Sequence, residues 1–315
     1  VNQTCRGPLL KTIEQIAESF KPWNPGTELT VGLFSSVVPE FDERAFREAL
    51  VNAFGHRDYS LLGRVRVLVD DAGLTIANPG GFVEGINVHN LLTAEPRGRN
   101  PCLMDALKRT GLAERTGRGI DRIFEGALNY GRPLPDYSRS NRRGVSVLLP
   151  RSVPDKAFVE LLAEERERSG KSMSLDGLLI LDKLKSERRC GFDVLSGSLD
   201  MSDQRLRTVL GQLTEAGLVE SAGVGARRTY MLGAKVYRRS GRAMEYVRQS
   251  DIDRVRYPEL IIELMHEQKS VSKNDVMELL HLEENQAYYQ LRKLVLEGRA
   301  KKVGSGRNVR YAAVR

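Results

Sequence analysis

The segment Leu210-Gly211-Gln212-Leu213-Thr214-Glu215-Ala216-Gly217 recurs as Leu291-Arg292-Lys293-Leu294-Val295-Leu296-Glu297-Gly298, with the same leucine spacing and closing glycine. Gly225 and Tyr230 recur as Gly306 and Tyr311 at the same offset. An internal repeat constrains the fold more tightly than composition does, because each copy must be one supersecondary unit. In the first copy, helical spacing predicts helices over Leu175–Ser186, Phe192–Leu199 and Gln204–Ala216, then a hairpin over Leu218–Leu232 turning at Gly223 and Gly225. In the second, the helices are Pro258–Glu267, Lys273–Leu280 and Glu284–Glu297, and the hairpin Ala300–Ala313 turns at Gly304-Ser305-Gly306. Three short helices and a two-stranded hairpin make a winged helix-turn-helix unit.

Such a unit would place its third helix in a DNA major groove. That helix offers Gln204, Arg205 and Arg207 in the first copy, and Asn285, Gln286, Tyr288, Tyr289, Gln290, Arg292 and Lys293 in the second. The wings carry Arg227 and Arg228, then Lys301, Lys302, Arg307 and Arg310. Lysine and arginine position a protein on phosphates, whereas Gln and Asn suit base edges. Residues 201–315 hold 21 Lys/Arg against 14 Asp/Glu, so nearly all of the chain's formal charge of +8 lies there. That asymmetry favours a polyanionic partner, namely double-stranded DNA, and paired half-sites would suit a homodimer. The same architecture also serves dimerisation and protein docking, and Glu283 and Glu284 at the start of the second copy's third helix would repel phosphate or favour the helix dipole.

No apolar run reaches the roughly 18 residues of a membrane span, and no signal peptide is seen. Cys5, Cys102 and Cys190 are dispersed without pair spacing, which fits reduced thiols in a cytoplasm. Four histidines (His56, His89, His266, His281) form no metal-ligand pattern. The chain opens on Val1-Asn2-Gln3-Thr4 without an initiator Met and reads as a fragment that follows an earlier domain.

The first half mixes helices with hairpin strands. Residues 8–20 have helical periodicity, and Pro22, Asn24, Pro25 and Gly26 then break the chain. A helix over Glu43–Phe54 precedes an alternating strand, Arg64–Val69, a turn at Asp70-Asp71-Ala72-Gly73 and a second strand, Leu74–Ala77. Asn78-Pro79-Gly80-Gly81 is a loop, residues 82–115 read as loop plus short helix, and Ile120–Tyr130 is helical. Gly144–Pro150 closes the region as a strand. The expected class is α+β, with helices on one face of a largely antiparallel sheet. The expected domains are 1–152, a charged linker helix over 153–171, and winged helices over 172–240 and 241–315.

Within the helix ending in Gly55-His56-Arg57-Asp58-Tyr59, Glu48 and Asn52 stand four apart and so share a face. A carboxylate and a carboxamide one turn apart can serve a hydrated Mg²⁺ and an activated water. On spacing alone, the plainer reading is a core-facing helix whose Glu and Asn cap neighbouring loops.

Taken together with Ile76-Ala77-Asn78-Pro79-Gly80-Gly81-Phe82, Arg99-Asn100-Pro101 and Glu114-Arg115-Thr116-Gly117-Arg118-Gly119-Ile120, that helix resembles the ATP-binding "RecG-like C-terminal" domain. This domain is a branch of the GHKL superfamily (histidine-kinase, gyrase, MutL-like, also called HATPase), and the resemblance spans roughly residues 5–150. It implies a GHKL-like helix and antiparallel-sheet sandwich that binds ATP and Mg²⁺. It also implies Glu48 as the catalytic base that activates water, and Asn52 as the Mg²⁺ ligand. By the same resemblance, Asn78-Pro79-Gly80, with Gly81, stands where the superfamily has Asp-Asn-Gly-x-Gly, whose Asp reads the adenine amino group. Gly117 and Gly119 fall at the lid glycines near the phosphates, ahead of a helix N-terminus. The sequence departs from the pattern in three places: Asn78 replaces the adenine-reading Asp, Phe82 stands at the second glycine, and His56-Arg57-Asp58-Tyr59 replaces the usual helix end. His56 and Arg57 are candidates for phosphate contact there. No Gly-x-x-x-x-Gly-Lys-Ser/Thr loop or helicase motor is present.

Related bacterial proteins carry this domain after a Schlafen AlbA-type domain and before winged helices, and are described as transcriptional regulators. The expectation is therefore a DNA-binding regulator with a nucleotide-binding domain. The alternatives are a DNA-associated ATPase with Glu48 as base, or a scaffold whose winged helices only assemble. In the regulator, nucleotide would bias closure of a lid over residues 83–116 and change how the winged helices are presented.

Overall fold

The computed structural model describes residues 2–31, 34–113, 118–187, 189–223, 225, 228–239, 257–280, 282, 284–304 and 309–314. They form two compact units, residues 1–182 with 196–209, and residues 183–195 with 210–315.

The first unit opens with helix α1 (Leu9–Phe20), which buries Ile13 and Phe20. Strands β1 (Gly26–Val31) and β2 (Phe34–Pro39) come next as an antiparallel hairpin in register Gly26↔Pro39. The break read at Pro22–Gly26 is thus the entry to a hairpin. Its base is tied by Asn24, whose Nδ2 donates to the Phe41 carbonyl at 3.0 Å and whose Oδ1 accepts from the Phe41 amide at 2.7 Å. Helix α2 (Glu43–Gly55) starts at Asp42, whose carboxylate accepts from the Arg44 and Ala45 amides at 2.9 Å, satisfying two orphan donors of the first turn. Phe46 of α2 stacks on Phe20, with ring centroids 4.0 Å apart.

Strands β3 (Arg66–Asp70), β4 (Gly73–Pro79) and β5 (Gly144–Pro150) form an antiparallel sheet in the order β3-β4-β5. The β3–β4 turn is closed by Asp70, whose carboxylate accepts from the Ala72 and Gly73 amides. Period-two alternation puts Leu74, Ile76 and Asn78 of β4 on one buried face, paired in register with Leu149, Val147 and Val145 of β5. Helix α2 packs on β4, on α3 (Pro101–Arg109) and on α4 (Gly119–Leu128). Eight of its thirteen residues are therefore buried, Glu48 among them. Helix α5 (Lys156–Ser169) is capped by Asp155, which accepts from the Phe158 amide. This is mixed helix and antiparallel sheet, the α+β class.

The rest of the chain runs α6 (Leu175–Glu187), β6 (Arg189–Gly191), α7 (Phe192–Leu199), α8 (Asp203–Glu215), β7 (Val219–Ala222), β8 (Thr229–Leu232) and α9 (Ala234–Arg239). It continues as α10 (Tyr257–Gln268), α11 (Lys273–Leu280), α12 (Glu284–Leu296), β9 (Ala300–Val303) and β10 (Arg310–Ala313). The order of helices and hairpin recurs. The repeat also reaches a feature that the sequence did not reveal. Short strand β6 pairs Cys190 with Tyr230, and Val271 exchanges both backbone hydrogen bonds with Tyr311. Each hairpin thus gains a third segment at the same place in the repeat. The second copy closes on its own core, with Ile261, Val271, Val276, Ala287, Leu291 and Leu294 fully buried.

Candidate functional site

One face of α2 forms the floor of a cavity of about 570 Å³, a volume suited to a small-molecule ligand. Glu48, Asn52 and His56 recur at four-residue spacing and all three line it, as do Ala49 and Ala53 one position on. From β4 come Ile76 and Asn78, and from the start of α4 come Arg118, Gly119, Ile120 and Asp121. The wall opposite is the segment from Val83 to Gly98, with Leu91, Leu92, Ala94 and Arg97 facing in.

Glu48 is only 2 % exposed, and its Oε1 lies 3.8 Å from Nη1 of Arg122, one turn into α4. A buried carboxylate needs such a partner. Close approach of α4 depends on Gly119, because a Cβ there would stand 2.9 Å from Oε2 of Glu48. The first residues of α4, Gly119, Ile120 and Asp121, line the cavity beside Arg118, and a helix N-terminus attracts anions. Two acids flank it. Burial pushes the carboxyl of Asp121 above its ordinary value, while Arg118 and Arg205 pull the other way. Glu125 is likewise raised, first by burial and then by the charge of Asp121.

At the end of β4, Asn78 is buried, and its Nδ2 donates to the Pro79 carbonyl at 3.1 Å and the Gly80 carbonyl at 3.5 Å. With the donor committed, the group Asn78 offers the cavity is its Oδ1 acceptor. Gly80 has φ +93° and sits against Asp58, where a Cβ would come within 2.6 Å of the Asp58 Cβ. Arg99 holds this corner by donating to the Gly81 carbonyl at 2.8 Å and to Oδ2 of Asp58 at 3.4 Å. Burial, with Arg99 second, lowers the pKa of His56, so a neutral imidazole faces the cavity at neutral pH.

The expected nucleotide residues thus converge, with three exceptions. Arg57 is not among the lining residues: its Nη2 donates to the Gly63 carbonyl at 2.8 Å and its guanidinium lies over the Tyr59 ring. Gly80 lines a smaller adjoining cavity, whereas Gly81 lines both. Gly117 lies outside the described residues. Reasoning from sequence missed Arg97, Arg118, Tyr137 and Leu92. Arg118 stood between the two lid glycines and could have been found. Tyr137, stacked on Phe124, reaches the cavity only through the tertiary fold. Among the described residues no group of three His, Cys, Asp or Glu could hold a metal ion.

The candidate DNA residues differ in their exposure and in the contacts they make. Arg205 makes a bidentate pair with Asp176, its Nη2 donating to Oδ1 at 2.7 Å and its Nε donating to Oδ2. Arg207 and Arg228 are exposed. On α12, Tyr289 is 64 % exposed, Arg292, Lys293 and Gln286 are exposed, and Gln290 is half-buried. Lys301 and Lys302 are exposed on β9, while Arg310 is held by Ser270, its Nη2 donating to the carbonyl at 2.7 Å. Arg227, Glu283 and Arg307 lie outside the described residues. No helix among the described residues is long and apolar enough to cross a membrane.

Residues 63–149 match the family model described as "Putative ATP-dependent DNA helicase recG C-terminal". The match takes in β3 to β5, α3 and α4 but begins after α2, so Glu48 and Asn52 join the site by geometry. Among solved structures, the chain is similar to the crystal structure of the DIP2311 protein from Corynebacterium diphtheriae. The TM-score is 0.59 and the identity 22 %, over 98 % of this chain and 54 % of that one. At this identity the likeness is one of fold, and the chain spans about half the length of that protein. No curated protein matches the chain.

Proposed function

We propose that the chain is a DNA-binding transcriptional regulator that takes an adenine nucleotide with Mg²⁺ in the cavity between α2, β4 and α4. The observation that carries this reading is the convergence of Glu48, Asn52, Asn78 and the N-terminus of α4 on one cavity, in a unit whose sheet matches an ATP-binding family.

The donor set fits such a ligand. The amides at the start of α4 and the guanidinium of Arg118 bind and orient a polyphosphate. The Oδ1 of Asn78 accepts from an exocyclic amine, and Ile76, Val145 and Val147 supply an apolar wall for a base. Asn52 would hold the Mg²⁺, which would neutralise phosphate charge when bound. Hydrolysis is the second reading, favoured by the buried carboxylate of Glu48 on the cavity wall, placed to take a proton from water. The two repeated units act as winged helices: exposed Lys301 and Lys302 suit phosphate, and the exposed polar face of α12 suits a groove.

Calorimetric titration of the full chain with Mg-ATP tests the nucleotide reading. Saturable binding that Asn52→Ala weakens more than tenfold is expected, and heat-silent titrations of the wild type would overturn it. Turnover that Glu48→Gln abolishes without loss of binding would select the hydrolase.

A further inference from the structure

The wall of the cavity opposite α2 touches the first repeat at the turn between α7 and α8. Leu92 and Ala94 face the cavity, and Thr93 between them donates from Oγ1 to Oδ2 of Asp200 at 2.6 Å. Asp200 lies in that turn, held at φ +48°, a left-handed conformation that Asp tolerates better than most side chains. From the same turn Asp203 at the start of α8 accepts from Ser196 of α7 at 2.9 Å. Two residues further on, Arg205 is gripped by the largely buried carboxylate of Asp176. Of the first repeat's residues expected to meet DNA, Arg205 is therefore already held by a carboxylate, and a guanidinium in a bidentate pair is not available to a phosphate.

We propose that the cavity wall and the turn before α8 form a clamp, through which nucleotide in the cavity opposes DNA binding by the first repeat. This inference rests on the nucleotide reading above. A ligand shifts a conformational equilibrium only by contacts it makes in one state and not in the other. Its contacts with Leu92, Ala94 and Arg97 exist only while this segment lies over the cavity, and in that position Thr93 holds Asp200. DNA contact by Arg205 requires the opposite, release from Asp176. In this clamp the turn held by Thr93 keeps α8 where Arg205 meets Asp176, so the two ligands stabilise opposite states and each must weaken the other by the same factor.

The test uses the full chain, a fluorescent random-sequence duplex and Mg-ATP, with Thr93→Val and Asp176→Asn. Neither side chain lines the cavity. In the wild type, saturating ATP should weaken duplex binding about fivefold, a typical coupling. Each variant should bind the duplex more tightly than wild type and ATP more weakly, and should lose most of the ATP effect. A merely structural defect would lower both affinities together, and that result overturns the clamp. So does an unchanged duplex affinity in both variants, or duplex binding by none of the proteins. If the wild type binds no ATP, the nucleotide reading fails by itself, and tighter duplex binding by the variants still decides for or against the clamp.

Discussion

The two repeats share an element order, a bridging third segment and a tyrosine partner for it, yet their third helices meet different surroundings. Arg205 of α8 is spent on Asp176, and the turn ahead of α8 is tied to Thr93. In α12 the comparable face carries Tyr288 and Tyr289, each at least half exposed, and the next strand carries exposed Lys301 and Lys302. Fold alone therefore does not decide what such a unit binds. On the DNA reading proposed above, the carboxylates placed around it matter as well, because each one that captures a guanidinium withholds a phosphate contact.

The largest effect should come from breaking one copy at a time at matched positions. Leu213 and Leu294 occupy the same place in the repeat and are 2 % and 0 % exposed. Truncating a buried leucine costs about 2–5 kcal/mol, a large share of the stability of a small core. Leu294→Ala should abolish the melting transition of the second copy and leave ATP affinity at the wild-type value. Leu213→Ala should loosen α8 and with it the hold on Thr93, lowering ATP affinity as well. Calorimetry of melting and of ATP binding checks both, and identical ATP affinities in the two variants would erase the contrast between the copies.

This contrast was only half legible in the sequence. The helix carrying Glu48 and Asn52, the β3–β4 hairpin and strand β5 were readable because each has a local period, 3.6 or 2, and the hairpin has a turn cluster beginning at Asp70. The repeat was readable because leucine spacing survives while other positions drift. Strand β6 was invisible, since three residues have no period. The β1–β2 hairpin was hidden by Pro22, Pro25 and Gly26, which mark a break but do not distinguish a strand beyond it from a loop. The cavity wall and the Thr93–Asp200 bond are long-range contacts within an irregular segment, which no pattern encodes. Arg57, adjacent to His56 in sequence, turned to the Gly63 carbonyl instead because the chain leaves α2 at Gly55.

A smaller effect should separate the basic surfaces of the two copies. The double change Lys301→Gln with Lys302→Gln removes two exposed cations from β9. It should weaken binding to the duplex about tenfold at low salt and reduce the slope of log affinity against log salt by about 2. Arg205→Gln should leave the slope unchanged while ATP is present, because its guanidinium is committed to Asp176. Fluorescence titrations across a salt series decide this, and equal slopes for wild type and the lysine variant would remove β9 from the DNA surface.

The smallest expected effect is a pH dependence that belongs to the nucleotide unit. Burial, then Arg99, hold the pKa of His56 below its ordinary 6.5. Between the folded and unfolded values the unfolded chain binds more protons, so stability rises with pH across that window. The contribution of His56 is fully present above pH 6.5 and is lost as pH falls through its folded pKa. Asp121 and Glu125 act in the opposite sense: their folded values are raised, so their contribution is present below their unfolded values of 3.8 and 4.5 and is lost as pH rises through the folded ones. Lowering the pH from neutral through 6.5 should therefore draw on the His56 contribution and lower the melting temperature of the unit that holds the cavity, while protonation of the two acids works to offset the loss. In His56→Gln the fall over that range should flatten, since the amide has no proton to gain. A melting temperature that falls equally in wild type and variant would assign the dependence to another group and leave the imidazole charged or exposed in the folded protein.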